Sequence, residues 1–147
     1  MLVGAPGANN GSGALHYFEG DGQTEPTLVH SWDGSNGSGT YGLGWMFENV
    51  GDFNGDGTTD IFVSAYENGK AYVMDGNCLG EPDITLEEAS LLTITSESNA
   101  LYFGRDISTG DIDGDGLIDL VIGAPGTFVS SPSAPEGEVL IRLSSRE

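Results

Sequence analysis

Four acidic residues with the spacing of a cation-binding loop stand within one ten-residue stretch of the chain. Residues 110–119 read Gly-Asp-Ile-Asp-Gly-Asp-Gly-Leu-Ile-Asp. Asp111, Asp113 and Asp115 therefore stand at alternate positions, and Asp119 follows three residues after the last glycine. Alternate residues of a curled loop place their oxygens on one side, and glycine permits the tight turn because it tolerates positive φ. Ca²⁺ takes about six to eight oxygen ligands from carboxylates, backbone carbonyls and water. The pattern therefore predicts a loop that binds a hard divalent cation, without which its carboxylates would repel each other.

A second stretch with the same frame lies earlier in the chain. Residues 51–60 read Gly-Asp-Phe-Asn-Gly-Asp-Gly-Thr-Thr-Asp, which gives Asp52, Asn54, Asp56 and Asp60 the same spacing. Asn54 stands in for one aspartate and still offers a carbonyl oxygen. The offset from Asp52 to Asp111 is 59 residues. Two such loops at a fixed offset indicate a repeat protein with two cation sites.

Short apolar runs recur on the same period. The run Leu-Val-Gly-Ala-Pro-Gly at 2–7 returns at 120–126 with one added isoleucine, and Ile-Phe-Val-Ser-Ala-Tyr at 61–66 is a degraded middle copy. An apolar residue followed by glycine precedes each acidic loop, as Leu43-Gly44 and Phe103-Gly104. These runs are short, rich in β-branched residues and separated by glycine turns, which is typical of strands.

The repeat unit accordingly reads as four short antiparallel strands with the acidic loop between the first two. We expect an all-β protein with strands near residues 44–50, 60–65, 70–75, 102–109, 118–123 and 137–143. The run 13–18 is another copy of the third strand, and fourth strands are expected at 27–32 and 90–95. One such sheet cannot bury both of its faces alone, so the sheets must stack on copies of themselves.

Composition excludes several functional classes. The 147 residues suffice for one domain of ordinary size, and the net charge of −19 disfavours nucleic acid and anionic membranes as partners. The sequence contains no run of about 20 apolar residues, which is the length that predicts a membrane-spanning helix. Cys78 is the one cysteine, and neither it nor His16 or His30 has the spacing of a zinc site. No Gly-x-Ser-x-Gly nucleophile motif is present, so we expect no catalytic residues and a non-enzymatic chain.

Residues 103–104, 111–119 and 123–125 resemble, in order and spacing, the FG-GAP repeat, the β-propeller blade of integrin α subunits and related extracellular proteins. The resemblance extends over essentially the whole chain. It implies a partial propeller of about two to two and a half blades, with 1–32 as the tail of one repeat, 33–95 as a second and 96–147 as a truncated third. In that family the acidic loop binds Ca²⁺. Carried over by position, the ligands would be side chains and two backbone carbonyls, from Asp52, Asn54, Asp56, Thr58 (carbonyl), Asp60, Asp111, Asp113, Asp115, Leu117 (carbonyl) and Asp119.

Competing motifs are weaker. EF-hand and dockerin loops share the Asp-x-Asp-x-Asp-Gly start, but they need an oxygen ligand at loop position twelve, where this chain has Val63 and Ile122. The glycines at 37–42 match Gly-x-Gly-x-x-Gly, yet no helical pattern follows, so they predict an inter-strand loop. Sequons at Asn10 and Asn36 would matter only in a eukaryotic secretory protein.

The function that these patterns predict is a calcium-binding propeller fragment of an extracellular adhesion or ligand-binding protein, with Ca²⁺ stabilising the blade loops. Its ligand would be a protein or a glycan, and its open sheet edges call for further propeller blades or self-association. An alternative is an accessory propeller domain of a secreted enzyme whose catalytic part lies outside this chain. A third class is a dockerin-like docking module.

Overall fold

The chain folds as three small antiparallel sheets. The structure is a computed structural model that describes residues 1–34, 42–96, 102–126 and 137–144. Among these residues all regular structure is strand apart from three single 3₁₀ turns, so the expected all-β class is confirmed. None of the described residues forms a helix long and apolar enough to cross a membrane. The strands are β1 Leu2–Gly4, β2 Ala14–Glu19, β3 Thr27–Asp33, β4 Leu43–Gly51, β5 Asp60–Ala65, β6 Lys70–Met74, β7 Ser90–Thr95, β8 Asp106–Gly110, β9 Asp119–Ala124 and β10 Glu138–Arg142.

Each sheet is a simple meander in which strands that follow each other in sequence pair with each other. The first sheet has the order β1-β2-β3, the second β4-β5-β6-β7 and the third β8-β9-β10. The complete four-stranded unit expected from the repeat is therefore present in the second sheet. The strands predicted at 60–65, 70–75 and 118–123 are found within one residue of their expected bounds.

Two apolar clusters hold the three sheets in a stack. The cluster between the first and second sheets includes the buried residues Leu15, Leu43 and Tyr72. The cluster between the second and third sheets includes Phe62 and Phe103. Because the second sheet contributes to both clusters, β5 and β6 are apolar on both faces and read as near-continuous apolar runs in the sequence. The middle sheet is thus covered on both sides by its neighbours.

The repeated glycines mark places where backbones of neighbouring sheets approach closely. A Cβ at Gly4, in the Gly-Ala-Pro run of the first sheet, would clash with the backbone of Gly44, which belongs to the Leu-Gly pair of the second. A Cβ at Gly104 would lie 2.8 Å from the Cβ of Ser64 in the second sheet. Each apolar-Gly pair therefore abuts the Gly-Ala-Pro position of the preceding sheet, which gives the spacing of the repeat a packing reason.

Ser64 replaces glycine in the middle copy without leaving a buried polar group unpaired. The β4–β5 register passes from Leu43↔Ala65 to Phe47↔Val63, so three residues of β4 bulge opposite Ser64. The hydroxyl of Ser64 accepts a hydrogen bond from the backbone N–H of Met46 at 3.1 Å. The serine therefore occupies the space of the bulge and satisfies one of its donors.

The strand expected at 102–109 begins later than predicted. Residues 102–105 form a turn, and β8 starts at Asp106. Tyr102 has φ 66° and Gly104 has φ 75°, values that extended backbone does not adopt. The backbone N–H of Arg105 closes the turn on the carbonyl of Tyr102 at 3.0 Å. The Phe103-Gly104 pair is therefore in the corner that leads into the third sheet, whereas Leu43-Gly44 forms the start of β4.

Some predictions fall partly or wholly outside the described residues. The glycine motif at 37–42 does so except for Gly42, and so does the sequon at 36–38. The sequon at Asn10 lies in the 3₁₀ turn Asn9–Gly11. The division of the chain into repeats at 32/33 and 95/96 stays a prediction.

Candidate metal centres

Each acidic loop connects the first two strands of its sheet. The first acidic loop, residues 52–59, joins β4 to β5, and the second acidic loop, residues 111–118, joins β8 to β9. The two loops belong to neighbouring sheets and lie beside each other, because the side chain of Ile118 fills the space next to Gly51, where a Cβ would clash with it. The repeat thus places two equivalent loops on the same side of the stack.

The second acidic loop gathers three carboxylates around one point. Asp111, Asp113 and Asp115 are exposed, and one carboxylate oxygen from each lies within 4.8 Å of the others. Backbone N–H groups of the loop hold these side chains in place: Gly114 donates to Asp111 at 2.7 Å and Leu117 donates to Asp115 at 2.8 Å. The backbone of the loop therefore curls around its own carboxylates and keeps them on one side.

These oxygens are close enough to share one cation. One oxygen from each of the three carboxylates lies within 4.8 Å of the other two, and every donor in the set is oxygen. Hard divalent cations such as Ca²⁺ and Mg²⁺ take oxygen ligands of this kind. This loop can therefore hold a divalent cation with hard ligands, which the sequence predicted.

The first acidic loop has a different internal arrangement. Asp52 accepts hydrogen bonds from the backbone N–H groups of Asp56 and Gly57, each at 2.9 Å. The Asp56 carboxylate accepts from the side-chain amides of Asn54 and Asn77, each at 2.8 Å. The Asn54 amide and the backbone N–H groups at the loop hold the pKa of Asp56 below its usual range. Neutral hydrogen-bond donors therefore stabilise part of the negative charge of Asp56 that a bound cation would otherwise stabilise.

Asp60 and Asp119, the last acidic residue of each pattern, occupy a different environment from the rest. Both begin the second strand of their sheet, and both are completely buried. The backbone N–H groups of Phe53 and Gly76 donate to Asp60 at 2.9 and 3.0 Å, and those of Ile112 and Ser144 donate to Asp119 at 2.8 Å each. Each carboxylate therefore ties the start of its acidic loop to the segment that follows the third strand.

The two buried carboxylates differ in their electrostatics. Burial raises the pKa of Asp60 in spite of its backbone hydrogen bonds, whereas the N–H of Ile112 lowers the pKa of Asp119. The predicted role of both residues as direct metal ligands stays a prediction. In the structure, both oxygens of each carboxylate accept hydrogen bonds from the protein. These bonds hold the start of each acidic loop against the segment that follows the third strand.

Thr58 and Leu117, whose carbonyls the resemblance assigns to the metal, hold equivalent half-buried positions in the two loops. The Thr58 hydroxyl donates to the side-chain carbonyl of Asn77 at 2.9 Å, which links the first loop to the turn after β6. The sequence patterns did not identify Asn77, Gly76 and Ser144 as partners of the loops. Their signal is positional: each follows the third strand of a unit that carries an acidic loop.

The protein consists of three stacked antiparallel sheets, and in two of them an acidic loop joins the first strand to the second. This arrangement defines a protein built from β-propeller blades. Comparison with known proteins identifies the family. The sequence profile of the FG-GAP-like repeat matches residues 52–122, which include both acidic loops. The chain is 35% identical over 90 residues to integrin alpha-PS2 of Drosophila melanogaster and 38% identical over 81 residues to integrin alpha-V of Gallus gallus. Residues 52–122 therefore belong to the FG-GAP-like repeat family, which confirms the resemblance found in the sequence.

The matches also include a protein with an enzyme name. The chain is 34% identical over 91 residues to phosphatidylinositol-glycan-specific phospholipase D of Mus musculus. These alignments cover 60%, 52% and 56% of this chain for the Drosophila, chicken and mouse proteins, but only 6%, 7% and 11% of those proteins. The chain therefore corresponds to a small part of each relative.

Proposed function

We propose that this chain is a calcium-stabilised segment of a β-propeller that serves ligand binding or adhesion in an extracellular protein, and that it carries no catalytic site of its own. The observation that carries the proposal is the cluster of Asp111, Asp113 and Asp115, whose oxygens lie within 4.8 Å. Carboxylates this close repel each other unless a cation lies between them. The same spacing of acidic residues recurs in the equivalent loop of the preceding sheet. The cation site is therefore a feature of the repeat unit and not of one loop alone.

In this proposal the cation has a structural role. Each acidic loop joins two strands at the end of a sheet and also touches the segment after the third strand through Asp60 or Asp119. A cation held by the exposed carboxylates would neutralise the loop and fix both strand ends. The integrin relatives support this role and an extracellular parent protein.

Further blades or a second copy of the chain are the partners that the sheet faces support. The β9–β10 register pairs Ile122 with Leu140, just as the β5–β6 register pairs Val63 with Tyr72. Val139 and Ile141 therefore correspond to Ala71 and Val73, which the third sheet covers. They are 68% and 56% exposed on the outer face of the third sheet. An apolar face of this kind favours another sheet against it.

Calorimetric titration with Ca²⁺ and with Mg²⁺ tests the proposal. We expect heat from two oxygen-rich sites with Ca²⁺ and weaker binding of Mg²⁺, because Mg²⁺ demands near-ideal octahedral geometry and loses its waters reluctantly. The melting temperature should rise with Ca²⁺ and return to its starting value with chelator. A chain that gives no Ca²⁺ heat and melts at the same temperature in chelator has acidic turns and no metal sites.

The alternative function is an accessory propeller in a secreted enzyme. The match to a phospholipase D favours it, since FG-GAP-like sequence occurs there in a protein with an enzyme name. The parent protein distinguishes the two functions. A catalytic domain in its flanking sequence, together with hydrolytic activity of the parent that this segment alone lacks, would support the accessory role in an enzyme.

A further inference from the structure

Asn10 and Asn54 are exposed side chains that are each followed by a glycine. Asn10 lies in the first 3₁₀ turn, and Asn54 lies in the first acidic loop. In an Asn-Gly step the backbone nitrogen of the glycine can attack the side-chain amide carbon of the asparagine, because glycine has no Cβ to hinder the approach. A nitrogen whose N–H is hydrogen-bonded must first give up its acceptor. The reactivity of each step therefore depends on the hydrogen bonding of its glycine.

The backbone nitrogen of Gly55 is free to react, whereas that of Gly11 is held. The Gly11 N–H donates to the carbonyl of Ala8 at 3.0 Å. The Gly55 N–H donates to no atom of the residues that the structure describes. Gly55 is also exposed, and a Cβ there would meet nothing within 4 Å, so the nitrogen lies in open space. The Asn54-Gly55 step therefore has an accessible nucleophile.

The other glycines that follow an acidic residue in the two loops have bonded nitrogens. The N–H groups of Gly114 and Gly116 both donate to the Asp111 carboxylate, at 2.7 and 3.0 Å. The N–H of Gly57 donates to the Asp52 carboxylate at 2.9 Å. Gly114 is the equivalent of Gly55 in the second loop, so the free nitrogen is specific to the first.

The side chain of Asn54 is oriented for this attack. Its Oδ1 atom accepts a hydrogen bond from the backbone N–H of Asp56 at 3.0 Å, which turns the side chain back over the Gly55 peptide. The same bond draws electron density from the amide carbon and makes it more electrophilic. Its Nδ2 atom donates to the Asp56 carboxylate at 2.8 Å, so an anionic group lies beside the nitrogen that would leave.

We propose that Asn54 is a site of spontaneous deamidation. The Gly55 nitrogen forms a bond to the amide carbon of Asn54 and the bond from that carbon to Nδ2 breaks. Nδ2 leaves as ammonia and carries away the proton of the Gly55 N–H. Water then opens the cyclic imide and leaves either aspartate or isoaspartate at this position. Both products replace a neutral amide by a carboxylate, and the reaction needs no partner except water.

Deamidation increases the dependence of the first acidic loop on a cation, a consequence that rests on the proposed function. The amide that is lost donates to Asp56, and the carboxylate that replaces it repels Asp56. The aspartate product also gives this loop three alternating carboxylates, as in the cluster of Asp111, Asp113 and Asp115. A neutral donor is thereby exchanged for a ligand that a cation must neutralise.

The rates of conversion at Asn54 and Asn10 test the modification itself. The full chain is kept in chelator at mildly alkaline pH, either folded or unfolded in urea. Cleavage after glutamate places Asn10 in peptide 1–19 and Asn54 in peptide 49–67, and mass spectrometry follows each conversion. In the folded chain Asn54 should convert about 5-fold faster, which is about what one backbone hydrogen bond is worth. In urea the two rates should be equal, since neither glycine nitrogen is then held.

Three results would overturn the proposal. One is a rate at Asn54 no higher than that at Asn10 in the folded chain. Another is conversion of Asn54 in urea but not in the folded chain, which would mean that the fold protects the amide. The third is a difference of the same size in urea, which would trace the rates to neighbouring residues and not to the Gly55 N–H.

The variant Asn54→Asp reproduces the aspartate product and tests the consequence for the cation. In chelator it should melt about 2–4 °C below wild type, because it loses one hydrogen bond. In excess Ca²⁺ this deficit should disappear, and an equal deficit in both conditions would refute the increased dependence on a cation. If neither chain responds to Ca²⁺, the proposed function is wrong, whereas the conversion rates still decide whether Asn54 is a deamidation site.

Discussion

The contrast between the two acidic loops gives a sharp prediction for the pair of substitutions Asp115→Ala and Asp56→Ala. The Asp115 carboxylate belongs to the cluster of three, and one backbone N–H, that of Leu117, donates to it. The Asp56 carboxylate at the equivalent position accepts from Asn54, Asn77 and Thr58. Asp115 should therefore matter for stability when a cation is bound, whereas Asp56 should matter with or without one.

The size of the effect follows from ligand linkage. Free Ca²⁺ at 100 times its dissociation constant stabilises a one-site protein by about 2.7 kcal/mol. Removal of a direct carboxylate ligand should cost at least the 10–100-fold in affinity that loss of an outer-shell partner costs. A 100-fold loss leaves the stabilisation at about 0.4 kcal/mol at the same Ca²⁺ concentration. With about 2–4 °C per kcal/mol for a protein of about this size, Asp115→Ala should lower the melting temperature in Ca²⁺ by about 5–9 °C.

Thermal melts in excess Ca²⁺ and in chelator measure this directly. We expect Asp115→Ala to melt at or slightly above the wild-type temperature in chelator, because it removes a negative charge from a crowded loop. Asp56→Ala should melt slightly below wild type in both conditions, since it removes the acceptor that joins the amides of Asn54 and Asn77. Equal losses for Asp115→Ala in Ca²⁺ and in chelator, or a silent Asp56→Ala in chelator, would refute the reasoning.

Three further predictions concern the sheets. Phe103→Ala should lower the free energy of unfolding by about 3–5 kcal/mol, measured in urea, because Phe103 is completely buried between sheets; Ile112→Ala, at a side chain 49% exposed, is the control and should change it by no more than about 0.5 kcal/mol. Burial raises the pKa of Tyr72 to about 12, so the folded state holds its proton where the unfolded state has lost it; stability should fall as pH rises from about 10 to 12, and less so in Tyr72→Phe. A double substitution of Val139 and Ile141 by serine should reduce self-association in sedimentation velocity, and a wild-type chain that is monomeric at every concentration would contradict this.

Much of the architecture could be predicted from the sequence because local patterns specify it. Apolar runs separated by glycine turns gave the strands, and the offset between the acidic stretches gave the repeat. The corner at 102–105 could not be predicted in the same way, since an aromatic residue such as Tyr102 is typical of strands, yet here it adopts φ 66°. Phe103-Gly104 lies in this corner, and the Phe103 side chain packs into the cluster between the second and third sheets, whereas the equivalent pair Leu43-Gly44 begins β4.

In the candidate metal sites, too, local features could be predicted from the sequence and long-range contacts could not. The exposed carboxylates of the acidic loops were identifiable because their spacing is local. The closure of the loops by Asp60 and Asp119 was not, since their donors Gly76 and Ser144 are 16 and 25 residues away in sequence. The hydrogen bond from the His30 ring to the Ile84 carbonyl has a still longer range, 54 residues along the chain. Pairings of this kind arise only once the sheets have stacked.

The packing of Ile118 beside Gly51 predicts that the two cation loops are coupled. Gly51 ends β4 with φ 73°, and a Cβ there would clash with the Cδ1 atom of Ile118 in the second acidic loop. Gly51→Ala should therefore displace Ile118 and weaken Ca²⁺ binding in the second loop, although the substitution lies next to the first. Left-handed backbone alone costs about 1–2 kcal/mol for a residue with a Cβ.

Gly55→Ala separates these two effects. Gly55 has φ 80°, yet a Cβ there would meet no atom within 4 Å, so this variant introduces the strain without the clash. Calorimetric titration in an Asp56→Ala background, which weakens the first site, isolates the second. Gly51→Ala should lower its Ca²⁺ affinity while Gly55→Ala leaves it unchanged, because only the former moves Ile118. Equal affinity in both variants would mean that the second loop holds its carboxylates independently of the neighbouring sheet.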